Sequence, residues 1–215
     1  MSTRITILIC ILLIAISLVL SVSIYNRLPE QVASHWNAAN QVDGYMSRIW
    51  GAFLMPIMAV GMVLLFLAIP QIDPLKANIA KFREYFNAFI TVVLAFLVYM
   101  HVITLLWNLG YTRFNMSTAM LPALGLIFIF AGIMMRKAKR NFFIGIRTPW
   151  TLSSDWVWDQ THRIGSVLFM VSGALAFLGT FFPDHAIWFV LVPVISITLF
   201  LVVYSYVLYQ RETHG

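Results

Sequence analysis

The residues with the most chemical potential in this chain are crowded into Gly145–His162. That stretch holds three of the seven tryptophans (Trp150, Trp156 and Trp158), the carboxylates Asp155 and Asp159, Arg147, His162 and a run of hydroxyls. A helix beginning near Asp155 and capped by Ser153 or Ser154 puts Asp155, Asp159 and His162 on one face. Two carboxylates and a histidine so placed could ligate a metal, or accept hydrogen bonds from Arg147 folding back. A structural polar network uses the same residues more simply. On that helix Asp159 and Arg163 stand four apart in the favourable order, and Trp158 lies over His162 at the same spacing. Gly145 permits a turn and Pro149 restricts Thr148 to extended geometry, so Arg147 is presented from a stiff, non-helical segment beside Trp150. Tryptophans at a membrane interface are ordinarily anchors. Three in nine residues, interleaved with Arg, Asp and His, exceed what anchoring requires.

A second group lies in Asn26–Arg48. His35, Trp36 and Asn37 combine an aromatic with two hydrogen-bonding side chains, Asp43-Gly44 marks a turn, and Tyr45 follows it. Trp and Tyr commonly anchor protein–protein contacts; an interfacial lid resting Trp36 and Tyr45 on lipid headgroups is the equal alternative. Catalysis finds little support. There is no H-E-x-x-H, G-x-S-x-G, phosphate-cradling glycine loop or C-x-x-C. Ser153 or Ser154 with Asp155 and His162 supplies triad residue types without the order of nucleophile, base and orienter. No cofactor is expected.

The elements that carry these groups follow from composition. Charged residues make up 10% of the 215 and hydrophobic ones 61%, against about 25% charged in a soluble domain. Six stretches free of Asp, Glu, Lys and Arg run Ile5–Tyr25, Ile49–Ile69, Ala88–Trp107, Ala119–Met135, Ile164–Phe182 and Ala186–Tyr209. Each reaches or nearly reaches the roughly 20 residues a helix needs to cross a bilayer. The fold class is therefore an all-α membrane protein with six transmembrane helices, read as a single polytopic domain over 1–215. The first stretch is longer than a signal-peptide core and lacks a cleavage site, so it reads as a retained helix. Cys10, the lone cysteine, lies inside it and reads as packing.

Orientation follows from the cations. With the N-terminus inside, eleven Lys and Arg fall on the inner side and three (Arg27, Arg48, Arg113) on the outer. That bias places both termini in the cytoplasm of a multi-pass plasma-membrane protein, with 26–48 as an outer loop and 136–163 as the cytoplasmic signature loop. Arg136, Lys137, Lys139 and Arg140 meet anionic headgroups as a topology anchor, and Phe142, Phe143 and Ile144 dip into the interface. Direct nucleic-acid binding is not expected. Pro56, Pro122 and Pro193 bend helices, while Gly61, Gly125, Gly132, Ser172, Gly173 and Ala176 allow close helix approach. The spans contain no Asp, Glu, Lys or Arg and a single histidine, His101. It reads as hydrogen-bonded to a neighbouring helix, which disfavours coupled transport. Three spans with a long first connection occur twice in opposite orientations, a pattern open to an inverted repeat, although no residues match between the halves.

At the two polar connections the sequence resembles the SdpI family of integral membrane immunity proteins. The family's outer-loop pattern is matched by Leu28-Pro29, His35-Trp36-Asn37 and Val42-Asp43-Gly44-Tyr45. Its cytoplasmic signature is matched by Asn141, by Gly145 through Leu152 (with Arg147, Thr148, Pro149 and Trp150), and by Ser154, Val157-Trp158 and Thr161-His162-Arg163. The departure is Asn40, where the family often has Gly. The resemblance implies protection against a secreted membrane-active peptide toxin. In the best-known member it also implies sensing of the toxin and retention of a cytoplasmic transcriptional repressor at the membrane. It puts the toxin contact on His35, Trp36, Asn37, Asp43 and Tyr45, with membrane lipids as the surroundings. The alternative is a membrane-embedded metal-dependent hydrolase acting on peptide or lipid through Asp155, Asp159 and His162.

Overall fold

The computed structural model describes residues 1–214. Six long helices are apolar enough to cross a membrane: α1 (Thr3–Ile24), α2 (Arg48–Ile72), α4 (Arg83–Asn108), α5 (Met116–Met135), α7 (Asp155–Gly179) and α8 (Trp188–His214). This is a multi-pass membrane protein. Two short helices, α3 (Lys76–Ala80) and α6 (Pro149–Ser153), sit in the connections. Leu8, Leu64 and Leu199 point outward at 63–66% exposure, as lipid-facing side chains do.

Helix starts follow local chemistry. Ser2, Asn115 and Ser154 each accept a hydrogen bond from a first-turn amide of α1, α5 and α7. The tightest packing joins α5 to α7. A Cβ on Gly125 would meet the Gly173 carbonyl at 2.8 Å, and one on Gly132 would meet the Ser166 carbonyl at 2.5 Å. Backbones therefore touch at two levels, the mode of association that small residues permit where lipid removes the hydrophobic drive between helices. Gly61 differs from expectation: a side chain there would meet nothing within 4 Å, so that glycine serves no close approach.

On the other side of the bundle α1, α2 and α4 pack around a polar node. The Ser21 hydroxyl of α1 lies 2.6 Å from the Ala52 carbonyl and 2.9 Å from His101 Nε2. His101 is thus bonded to a neighbouring helix, as its sequence setting predicts. The main apolar core gathers at the end of the bundle that holds both termini. There Cys10, Phe82, Phe86, Leu94, Met134, Ile144 and Trp158 are buried together.

The first connection differs from a plain loop. It folds into an antiparallel hairpin of β1 (Gln31–Trp36) and β2 (Val42–Ser47), with Val32 opposite Met46 and Ala33 opposite Tyr45. Asp43 and Gly44 lie inside β2 and do not form the turn. The reversal is Asn37–Gln41, closed by the Asn37 amide onto the Gln41 carbonyl at 2.9 Å. The Asn37 side-chain oxygen accepts from the Ala39 and Gln41 amides, and Asn37 is the stronger turn former.

Candidate functional site

The polar side chains collect at the two ends of the bundle. At the end that holds the termini, the segment from Lys137 to Arg163 is built as one network. Asn141 is fully buried and organises a tight loop. Its Oδ1 accepts from the amides of Phe143 (2.9 Å) and Ile144 (2.7 Å), and its Nδ2 donates to the carbonyls of Lys139 and Ile144. Gly145 then adopts φ +106°, and a Cβ there would run into the His162 ring. Only glycine combines that backbone with that contact. Thr148 and Thr151 form a capping box that starts α6 with Pro149 in its first turn, so the segment after Arg147 is helical and not merely stiff.

His162 and Trp158, on the first turns of α7, hold this loop from beneath. Their rings stack with centroids 3.9 Å apart, and Trp158 Nε1 donates to the Ala138 carbonyl at 3.0 Å. The Ile146 amide donates to His162 Nε2 (3.0 Å), while Nδ1 lies 2.9 Å from the Trp158 carbonyl. One ring nitrogen must accept and the other donate, so the imidazole is neutral with its proton on Nδ1. A metal would need that same Nε2 lone pair.

The two carboxylates are committed elsewhere. Asp155 pairs with Arg140 at 2.7 Å and Asp159 with Lys139 at 3.0 Å. Asp155, Asp159 and His162 share a helix but do not converge, and the described residues contain no group of three His, Cys, Asp or Glu able to hold a metal ion. Asp159 takes Lys139 in place of Arg163. Arg147 does not fold back onto the carboxylates; it is exposed, and its guanidinium donates to the Phe142 carbonyl at 2.9 Å. Of Phe142, Phe143 and Ile144, only Phe142 is exposed; the other two pack on the core. Trp150 rests against Tyr206 with centroids 5.1 Å apart, Thr148 meets Ser205 at 3.0 Å and Ser154 meets Glu212 at 2.8 Å, so α8 clasps the segment.

At the opposite end, His35 Nδ1 and Asp43 Oδ1 lie 2.5 Å apart across the hairpin. Trp36 packs edge-on against Trp107 with centroids 5.5 Å apart, and Tyr45 is 61% exposed. Asn40 sits at φ +59°, a conformation that glycine or asparagine adopts readily. Its side chain accepts from the Met116 amide at 2.7 Å, which fastens the hairpin tip to the start of α5.

Residues 137–205 match the SdpI/YfhL protein family, and residues 12–60 match a domain of unknown function (DUF1648). The chain is also 26% identical over 207 residues to the immunity protein SdpI of Bacillus subtilis (strain 168), covering 96% of this chain and 97% of that one. The signature segment of this chain is thus similar to the SdpI/YfhL family, and nearly its whole length to one immunity protein. No solved structure matches the chain. The first match begins at Lys137 and runs through the signature network into α8; the second contains the whole hairpin. The two matches thus each include one of the two polar ends.

Two further residues, Asp73 and Asn108, hold these polar ends in place. Asp73 is 2% exposed, and its carboxylate accepts from the Leu75 amide (2.6 Å) and the Phe142 amide (2.9 Å), tying the α2–α3 junction to the signature loop. The Asp73-Pro74 pair was the available signal, since Asp before Pro favours a turn. Asn108, the last residue of α4, presents its side-chain amide to Ala33: Oδ1 accepts from the Ala33 amide at 2.7 Å and Nδ2 donates to the Ala33 carbonyl at 3.0 Å. Nothing local in the sequence marks Asn108, because its partner lies 75 positions away.

Proposed function

We propose that this chain is a non-enzymatic immunity protein that protects its cell from a secreted membrane-active peptide toxin. The observation that carries the reading is its similarity, along nearly its whole length, to a protein named as an immunity protein. The division of polar chemistry between the two ends supports the same view. In this reading the chain works as one membrane unit in the plasma membrane, with both termini cytoplasmic and the hairpin outward. The excess of eleven cations over three at the opposite ends favours that orientation. The outer hairpin, through His35, Trp36, Asn37, Asp43 and Tyr45, meets the toxin or its lipid-bound form. The inner network around Arg147, Trp150, Trp158, His162 and Arg163 changes when that happens and holds a cytoplasmic repressor.

Arg147 provides the test. Its side chain is exposed and makes one hydrogen bond to a carbonyl, so its removal costs the fold little. Arg147→Ala is expected to insert normally and to lose protection when a sensitive host is challenged with membrane-active peptides. Full protection by that variant, at equal membrane abundance, sinks the proposed role of the inner network.

A further inference from the structure

Beneath the hairpin lies a cavity of about 250 Å³, roofed by Ser34–Ala38 and walled by α2, α4 and α5. Its lining is chemically unusual. Four of the twelve lining residues are methionines, Met55, Met100, Met116 and Met120, out of only eleven in the whole chain. They come from three different helices, so no single helix periodicity explains the concentration. Methionine is flexible and polarisable, and where many line one recess they form a surface that adapts to apolar groups of varied shape.

Polar side chains share the lining: Ser34, Ser117 and His35, whose Nδ1 is held by Asp43, beside Asn37, whose side-chain amide closes the hairpin turn. Trp36 Nε1, in the same lining, is buried and meets no acceptor among the described residues. A second cavity makes the contrast. The groove between α4 and α5, at Val92, Phe96, Tyr99 and Leu126, is apolar, and its one hydroxyl, on Tyr99, is already spent on the Ala119 carbonyl at 2.8 Å. That groove suits an acyl chain. The hairpin cavity combines the hydroxyls of Ser34 and Ser117 with methionine thioethers, which suits a polypeptide that brings both carbonyls and apolar side chains. Its size agrees: small-molecule sites occupy about 300–1,000 Å³, so this recess holds part of a ligand.

We propose that this methionine-lined cavity receives one or two bulky apolar side chains of the peptide toxin. The inference deepens the immunity reading and rests on it. It names where on the hairpin surface the peptide is gripped, and by which chemical feature.

The test uses the full chain in lipid nanodiscs with its methionine methyls carbon-13 labelled. The probe is a synthetic amphipathic leucine–lysine peptide, with its alanine–lysine counterpart as control. The leucine peptide is expected to shift the methyl signals of Met55, Met100, Met116 and Met120 saturably while the other seven stay in place. The alanine peptide is expected to shift none. Met100→Phe, which fills the recess, is expected to raise Kd at least tenfold; the wild-type titration stands by itself if that variant misfolds. Equal shifts at all eleven methyls indicate bilayer perturbation and overturn the proposal. Stationary signals overturn it as well, and so does a response of the four methyls to silver(I) but not to the peptide, which marks a thioether metal site. Protection of cells by the wild-type chain is scored separately. Protection with unmoved methyls removes the cavity and leaves immunity standing; moving methyls without protection do the reverse.

Discussion

Gly145 is where backbone and side-chain demands meet most tightly, and a paired comparison isolates the two. Gly110 also has positive φ, +96°, but a side chain there meets nothing within 4 Å. Alanine at either position carries the left-handed backbone penalty, about 1–2 kcal/mol. Only Gly145→Ala also drives into the His162 ring. Thermal unfolding in detergent is expected to show Gly145→Ala clearly less stable than Gly110→Ala; equal losses contradict the packing described here. Asn40 gives the converse case. Asn40→Gly keeps the backbone and forfeits the bond to Met116, so a small loss of about 0.5–1.5 kcal/mol is expected. Asn40→Val loses both and is expected to cost more by the same measurement.

Among the elements, the α5–α7 contact carries the sharpest expectation. Leucine at Gly125 or Gly173 has to push two backbones apart, and overpacking of this kind costs about 1–3 kcal/mol or more. Leucine at Gly61 points into open space and is expected to be silent in the same unfolding assay. All three glycines carry the same signal in the sequence, because a small residue marks a possible approach and not its partner. The six helices were legible from hydropathy alone, since a bilayer imposes length and composition on every crossing. The Trp158–His162 stack and the Ser154 cap were legible too, because both depend on spacing along one helix. The hairpin was not: its strands are short, and Asp43-Gly44 mimics a turn although the stronger reversal at Asn37–Gln41 lies before it. Asp155 and Asp159 misled for a similar reason. A shared helix face says nothing about Arg140 and Lys139, which reach them from another segment.

Across the whole molecule, the two connections at the termini-bearing end are tied by few bonds. Asp73 bridges to Phe142, and the Asn78 side chain donates to the Arg140 carbonyl at 2.8 Å. Hydrogen bonds to a charged group are worth about 1.5–3 kcal/mol. Asp73→Ala is therefore expected to quicken amide hydrogen exchange in 136–148 while the hairpin exchanges as before; an unchanged signature loop removes Asp73 as its anchor. Orientation has its own check. Cysteines placed singly at Ala38 and at Lys137 are expected to label from outside intact cells only at Ala38, and the reverse result inverts the functional assignment of the two ends. Cys10, buried at 1% exposure, adds no background.

The amide of Asn108 does more than hold the hairpin down. By occupying both backbone groups of Ala33 it stands in for a neighbouring strand and closes that border of the ribbon to any newcomer. Because Ala33 faces Tyr45 in the ladder, the Tyr45 backbone groups point to the far border, which no side chain among the described residues seals. A third strand, from a bound peptide or from a second copy, can extend this ribbon along Val42–Ser47 alone.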